Sequence, residues 1–504
     1  MKKEPGYLSQ TIQIGQGLLR GKRGAEDKVY AYLGIPYAAP PVGPWRWKSP
    51  QPPVSWTGIR EAVEFGPRSM QGSIYSDMVF RDKGPSEDCL YLNVWTPAKA
   101  PDKLPVMVWI HGGGYKSGSS SEPRQNGENL ARKGVVVVSF NYRLGVFGFL
   151  ALPELTRETD SHSSGNYGLL DQVAALEWVK SNIAAFGGDR DNVTIFGESA
   201  GSFSVSGLMA TPLARSLFHK AVGESGALFG PSLTPNPLAL AEKDGLKFMK
   251  SLGAKTLAQL RTKSANDLLQ ATLKPNAPHF FPNIDGAFFP KAVDAIYAKG
   301  QQAHVPLLAG WNSAEGSYRA ILKDAPATKE NFIKAAKAMF GSNTGAFLKL
   351  YPAGTDTEAK QSAQDLGGDF FIAYSTWKWL DRQSATGQKP VYRYRFEQAP
   401  PLSAGAKPGT RSTGAYHSCE IEYVFGNLDS KKLPWRPEDR QLSDLVSAYW
   451  TNFAKNGDPN GPGLPKWPVY GVKSRHALLR LNPIPSAAAD IYRKRYQFLD
   501  KFHP

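Results

Sequence analysis

Val193-Thr194-Ile195-Phe196-Gly197-Glu198-Ser199-Ala200-Gly201 is an apolar run that ends in a Gly-x-Ser-x-Gly turn, and small residues continue from it through Ser206. The pattern reads as strand, tight turn and helix. A turn this sharp leaves no room for a Cβ on either side of its centre, so glycine takes both flanking positions. It also pushes the Ser199 hydroxyl outward, where it can serve as a nucleophile. Alone the pattern decides little: with Gly at 49 of 504 positions, about a few tenths of such a match arise by chance. The bland alternative is a helix-opening turn. What separates the two is whether the rest of a serine nucleophile's machinery follows in order.

An anion-binding loop comes earlier in the chain. Leu104-Pro105-Val106-Met107-Val108-Trp109-Ile110 reads as a buried strand and runs into His111-Gly112-Gly113-Gly114-Tyr115. Consecutive glycines let backbone N–H groups face a developing negative charge, each such donor being worth ~3 to 4 kcal/mol of transition-state stabilisation. A flexible glycine linker is the plainer alternative, and the preceding strand argues against it. Gly113 and Gly114, with the amide of Ala200, are the expected oxyanion donors.

A serine hydroxyl needs a base, most naturally a neutral imidazole. Of the eight histidines, His111 belongs to the glycine loop, His162 to a polar loop and His503 to the terminus. His219 follows Ser199 closely in a predicted helix, and His279, His304 and His476 lack a strand-end setting. His417 remains, in the loop Thr413-Gly414-Ala415-Tyr416-His417-Ser418 after the strand-like Val391 to Phe396. A carboxylate must orient that imidazole. Glu315 hangs from the end of the strand-like Val305-Pro306-Leu307-Leu308-Ala309-Gly310, where catalytic groups of open α/β sheets gather. Asp285, in Asn283-Ile284-Asp285-Gly286, competes with it but reads better as a β-turn residue.

With these residues in place, the chain resembles the type B carboxylesterases, a family of the α/β-hydrolase fold. Further matching segments are Gly34-Ile35-Pro36-Tyr37-Ala38, Ser86-Glu87-Asp88-Cys89-Leu90-Tyr91-Leu92-Asn93, Asn141-Tyr142-Arg143 and Asn166-Tyr167-Gly168-Leu169-Leu170-Asp171-Gln172. The last is Asn452-Phe453-Ala454-Lys455-Asn456-Gly457-Asp458-Pro459-Asn460, so the resemblance covers nearly the whole chain. It implies Ser199, Glu315 and His417 as a catalytic triad, and Gly113, Gly114 and Ala200 as the oxyanion hole. It further implies supporting roles for Glu198 and Ser225, and structural ion pairs Arg46 with Glu87 and Arg143 with Asp171.

Two departures limit what carries over. Family members commonly bridge the Cys of the Glu-Asp-Cys-Leu segment to an upstream Cys, but Ser69 stands at that place here, so Cys89 is expected to be a free, buried thiol. A bridge to Cys419, the only other cysteine, is not expected. Residues 70 to 88 contain no Trp, whereas the family's choline-ester enzymes place one there to hold a quaternary ammonium. Choline esters are therefore not the expected substrate.

Composition fits one large enzyme domain. Apolar runs at 104 to 110, 135 to 140, 192 to 197, 305 to 310 and 390 to 396 alternate with helical stretches, which predicts a mostly parallel sheet covered on both faces. The clearest predicted helix spans 169 to 186, with Leu169, Val173, Leu176, Val179 and Ile183 at three- and four-residue steps and Gly187-Gly188 as its stop. No linker or repeat divides the chain, so residues 1–504 read as a single catalytic domain with helical cap insertions at about 235–300 and 320–385. The net charge of +16 is dispersed and no nucleic-acid module is present, so a solvated basic surface suited to an anionic substrate or an acidic polymer environment is expected.

Several classes drop out. Gly15 to Gly21 suits a hairpin better than a dinucleotide loop, and Asp458-Pro459-Asn460-Gly461 is a turn without calcium ligands. No metal or cofactor motif is found, and no apolar run reaches membrane-spanning length. Met1-Lys2-Lys3-Glu4-Pro5 has no apolar stretch after its lysines, so no signal peptide is expected in this chain. That leaves a cytoplasmic location, or a periplasmic or secreted one if a signal was removed.

The expected function is two-step hydrolysis of small to bulky esters through an acyl-enzyme. Phe280-Phe281, Phe288-Phe289, Phe370-Phe371 and Trp377/Trp379 supply candidate aromatic walls. An acyltransferase or amidase would use the same site, and a non-catalytic interaction protein would not need all three triad residues. With the unperturbed imidazole value of about 6.5 for His417, activity should fall near pH ~6 to 7.

Overall fold

A computed structural model describes residues 10–24, 28–97, 103–403, 405 and 414–502. Met1 to Pro5, Thr413 and His503 lie outside them. An 11-stranded sheet forms the centre. Its strands are β1 (Lys22–Arg23), β2 (Val29–Pro36), β3 (Tyr91–Pro97), β4 (Leu104–Ile110), β5 (Val136–Phe140), β6 (Gly188–Glu198), β7 (Lys220–Glu224), β8 (Leu307–Asn312), β9 (Val391–Phe396), β10 (Leu478–Leu481) and β11 (Ser486–Ala488). They lie in the order β11-β10-β9-β8-β7-β6-β4-β5-β3-β2-β1. From β10 to β5 every neighbouring pair is parallel; the pairs beyond, at both edges, are antiparallel.

The apolar runs became strands because both faces of a parallel sheet are buried. Alternation sorts each strand between two cores. Val106, Val108 and Ile110 of β4 join one, while Met107 and Trp109 join the other. Against the first face pack helices α1 (Tyr167–Asn182) and α2 (Ala200–Ala210); Trp450 of α3 (Pro437–Asn456) packs on the second, edge-on to Tyr394. The helix expected over 169 to 186 thus starts at Tyr167, and its last turn tightens to 3₁₀ over Ile183–Phe186 before Gly187 stops it at φ 79°.

His219 differs from expectation. It does not lie in a helix: α2 stops at Ala210 because Pro212 cannot continue it, and His219 leads into β7, where its Nδ1 accepts the Val193 N–H at 3.1 Å. The Gly15 region is the expected hairpin, between Thr11–Ile14 and Gly17–Arg20. Asp285 caps a local turn, its Oδ1 accepting the N–H groups of Ala287 and Phe289. Cys89 and Cys419 are both free and buried. Ser69 is beside Cys89 and accepts the Leu144 N–H at 3.1 Å.

Residues 235–300 hold helices at Leu238–Ser251, Leu257–Arg261, Ala265–Thr272 and Val293–Ala298. Residues 320–385 hold Lys329–Phe340, Thr344–Leu348 and Asp356–Gly368, then one π-helical turn, Asp369–Ala373, and Tyr374–Thr386. Among the described residues no helix is long and apolar enough to cross a membrane.

Candidate active site

Ser199 sits between β6 and α2 at φ 53°, ψ −123°, a conformation that costs a non-glycine residue about 1–3 kcal/mol and survives only where the surroundings impose it. Here they do. A Cβ on Gly201 would lie 1.9 Å from the Ile110 carbonyl oxygen at the end of β4, and one on Gly197 would lie 2.6 Å from the same atom. The Ser199 N–H donates to the Glu224 carbonyl at 2.8 Å, locking the turn to β7. Small residues at Ala200, Gly201, Ser202, Ser204, Ser206 and Gly207 let α2 nest against the sheet, and the whole helix is buried.

His417 and Glu315 arrive on loops from the ends of β9 and β8. The loops are stitched together: the Ala314 N–H donates to the Ala415 carbonyl at 2.8 Å, and the Asn312 side chain donates to the Tyr416 carbonyl at 2.8 Å. His417 Nε2 is 2.9 Å from Ser199 Oγ, and its Nδ1 is 2.7 Å from Glu315 Oε2. Glu315 Oε1 also accepts from Ser225 Oγ at 2.6 Å and from the Asn312 N–H at 2.7 Å. These contacts hold the carboxylate's plane and leave one oxygen for the imidazole.

The glycine loop lies across from Ser199. Gly113 and Gly114 adopt φ 106° and 63°, open to glycine alone without strain, and a Cβ on Gly112 would come within 3.1 Å of the Ser199 Cβ. The N–H groups of Gly113, Gly114 and Ala200 have no protein acceptor among the described residues. Ala200 opens α2, so its N–H is one of the helix's unsatisfied N-terminal donors. A cavity of about 360 Å³ is walled by Gly113, Gly114, Ser199 and His417, with Tyr75, Met78, Leu233 and Phe371 as its apolar and aromatic sides.

Charge in the site is dense and buried. Glu198 Oε1 lies 3.2 Å from His417 Nε2. Burial pushes Glu198 up to about 8, against the pull of His417. Burial opposes the His417 imidazolium, but Glu198 and Glu315 outweigh it and raise the ring to about 9. The ring thus stands above the unperturbed value from which a loss of activity near pH ~6 to 7 was expected. His111 behaves oppositely: burial depresses it to about 4, and it stacks neutral on Tyr142 with ring centroids 4.5 Å apart.

Some groups at the site were not singled out from sequence. Glu420, pushed up to about 7 by burial and Glu315, accepts from Ser225 at 3.3 Å and from Asn312 at 2.5 Å. It follows His417 by three residues in a turn that precedes the short helix Ile421–Phe425, and nothing local in the sequence marks it. Of the aromatic clusters, only Phe371 reaches the Ser199 cavity, edge-on to the His417 ring at 4.9 Å. The π-helical turn carries it there. Phe280 lines a neighbouring cavity, while Phe288, Phe289, Trp377 and Trp379 belong to the core. Both ion pairs form: Arg46 meets Glu87 at 2.6 Å, and Arg143 meets Asp171 at 2.7 Å.

The carboxylesterase family model matches residues 8–499. The chain belongs to the carboxylesterase family. Within that family, the fumonisin B1 esterase of Sphingopyxis macrogoltabida is 37% identical over 466 residues, covering 89% of this chain and 82% of that protein. The para-nitrobenzyl esterase of Bacillus subtilis (strain 168) is 37% identical over 488 residues, covering 93% and 94%. A solved PNB esterase superposes with a TM-score of 0.83 at 35% identity, covering 97% of this carboxylesterase-family chain and 99% of its own. The protein is a carboxylic-ester hydrolase of the α/β-hydrolase fold.

Proposed function

We propose that Ser199, His417 and Glu315 carry out ester hydrolysis through an acyl-enzyme. The contact that carries this reading is the unbroken line Ser199 Oγ, His417 Nε2, His417 Nδ1, Glu315 Oε2, at 2.9 and 2.7 Å. His417 takes the Ser199 proton as Oγ attacks the ester carbonyl. The N–H groups of Gly113, Gly114 and Ala200 hold the oxyanion, and His417 returns the proton to the leaving alcohol. Water then attacks the acyl carbon by the same route, restoring Ser199 and releasing the acid.

Ser225 positions Glu315, and Glu198 sets the proton affinity of His417. Residues 1–504 act as one catalytic domain, with 235–300 and 320–385 as caps. With Phe371, Tyr75, Met78 and Leu233 around Ser199, the cavity suits esters with an aromatic or short aliphatic arm. A para-nitrophenyl ester chain-length series tests this: turnover that depends on Ser199 and peaks at short to medium acyl chains supports it. Undiminished turnover in Ser199→Ala refutes it.

A further inference from the structure

Lys116 rides the same turn as the two oxyanion glycines, its N–H donating to the Gly113 carbonyl at 3.0 Å. It walls both the Ser199 cavity and a second cavity of about 600 Å³ beside it; Tyr75 is shared in the same way. Among the described residues its ammonium makes no ion pair, and its side-chain partner is His279 Nδ1 at 2.6 Å. Burial and Lys116 hold His279 below its usual value, so that ring accepts rather than competes as a cation. Burial also lowers Lys116, with no anion to offset it.

The other charges of the Ser199 cavity are engaged elsewhere. Arg124 is held by Glu122 at 2.7 Å, and Asp77 lies on the Arg124 side at 3.8 Å. Glu198 faces His417. The second cavity has apolar walls at Ile74, Leu269, Leu273 and Phe280 and polar ones at Thr272, Lys274, Asn276 and His279. A half-buried cation without an ion-pair partner, shared by the nucleophile's cavity and the recess beside it, is completed by a ligand anion.

We propose that Lys116 selects esters whose acyl chain ends in a carboxylate, that is, monoesters of short dicarboxylic acids. The acyl chain spans the Ser199 cavity towards the second one, and its carboxylate pairs with the Lys116 ammonium while Ser199 attacks the other carbonyl. The proposal rests on the esterase reading of Ser199 and adds its substrate class. The net charge of +16 assists by attracting anions to the surface.

The test compares para-nitrophenyl butyrate with the para-nitrophenyl monoester of glutaric acid, which extends the acyl chain by a terminal carboxylate. Wild-type protein should give the higher kcat/KM on the glutaryl ester. Lys116→Met should lower the glutaryl-to-butyryl ratio of kcat/KM by about tenfold or more, mainly through KM, and Lys116→Glu should lower it further. Lys116→Arg, which keeps the charge, should hold the ratio within about threefold. A ratio unchanged in Lys116→Met, with butyrate hydrolysed by wild type and lost in Ser199→Ala, overturns the Lys116 proposal alone. Failure of wild type to cleave either ester overturns the esterase reading and this proposal with it.

Discussion

Replacing Glu198 by Gln should move the acid limb of the pH–rate profile to lower pH. The carboxylate lies 3.2 Å from His417 Nε2, and at an effective dielectric of ~20 such a pair interacts by about 5 kcal/mol, a ceiling of about four pH units. Glu198 is itself pushed up to about 8, so it is only partly ionised near neutrality and its net effect is smaller, about one to three units. The sign follows from which form is active. In the proposed mechanism hydrolysis needs neutral His417, so kcat/KM should be lost as pH falls through the imidazole value, which the native site raises to about 9. With the anion gone the ring binds its proton less tightly, so the neutral base persists further into acid. Initial rates by pH-stat on a neutral ester, from about pH 5 to about pH 10, locate the limb in both proteins. A limb that stays put or moves upward in Glu198→Gln would refute the electrostatic coupling, whatever happens to the plateau rate.

Ser225→Ala removes the 2.6 Å hydrogen bond to Glu315 and should cost about 1.5–3 kcal/mol of transition-state stabilisation, about 10- to 100-fold in kcat, with KM little changed. Steady-state kinetics on one ester decide it. Gly201→Ala places a Cβ 1.9 Å from the Ile110 carbonyl oxygen and should abolish soluble folded protein or depress Tm sharply, whereas Gly345→Ala, with open space around it, should not. Asp171→Asn strips the buried Arg143 of its bidentate partner and should cost about 3–5 kcal/mol by urea denaturation. Asp369 is raised to about 7 by burial, so in the native state it binds a proton that the unfolded chain releases near its ordinary value. The stability it contributes is therefore full at low pH and lost as pH rises through about 7. Melting curves of Asp369→Asn should gain on wild type across that interval, and a constant difference would contradict the linkage.

Much of the site could be read from the chain because its constraints are local. The turn around Ser199 needs glycine on both sides, and β4 must end in glycines if backbone N–H groups are to face a charge; each is a few consecutive residues. His417 and Glu315 were reached through chain order and strand ends, which the parallel topology then brings to one edge of the sheet. Lys116, Phe371 and Glu420 were harder, because nothing local marks them. Phe371 reaches His417 only because a π-helical turn displaces it from a helix otherwise packed in the core. Lys116 stands out because its ammonium pairs with His279 and, among the described residues, with no carboxylate, which depends on what the whole fold brings near. The helix expected around His219 does not form, because Pro212 ends α2 before it.

The most direct measurement is to trap the acyl-enzyme. Protein treated with a slowly deacylating para-nitrophenyl ester, or with a fluorophosphonate that phosphonylates the same hydroxyl with loss of fluoride, then digested and read by mass spectrometry, should carry its label on Ser199 alone, with activity falling in proportion to labelling. The Ser199→Ala variant should take up none. Label on another side chain, or full labelling with activity retained, would contradict a mechanism centred on Ser199, His417 and Glu315.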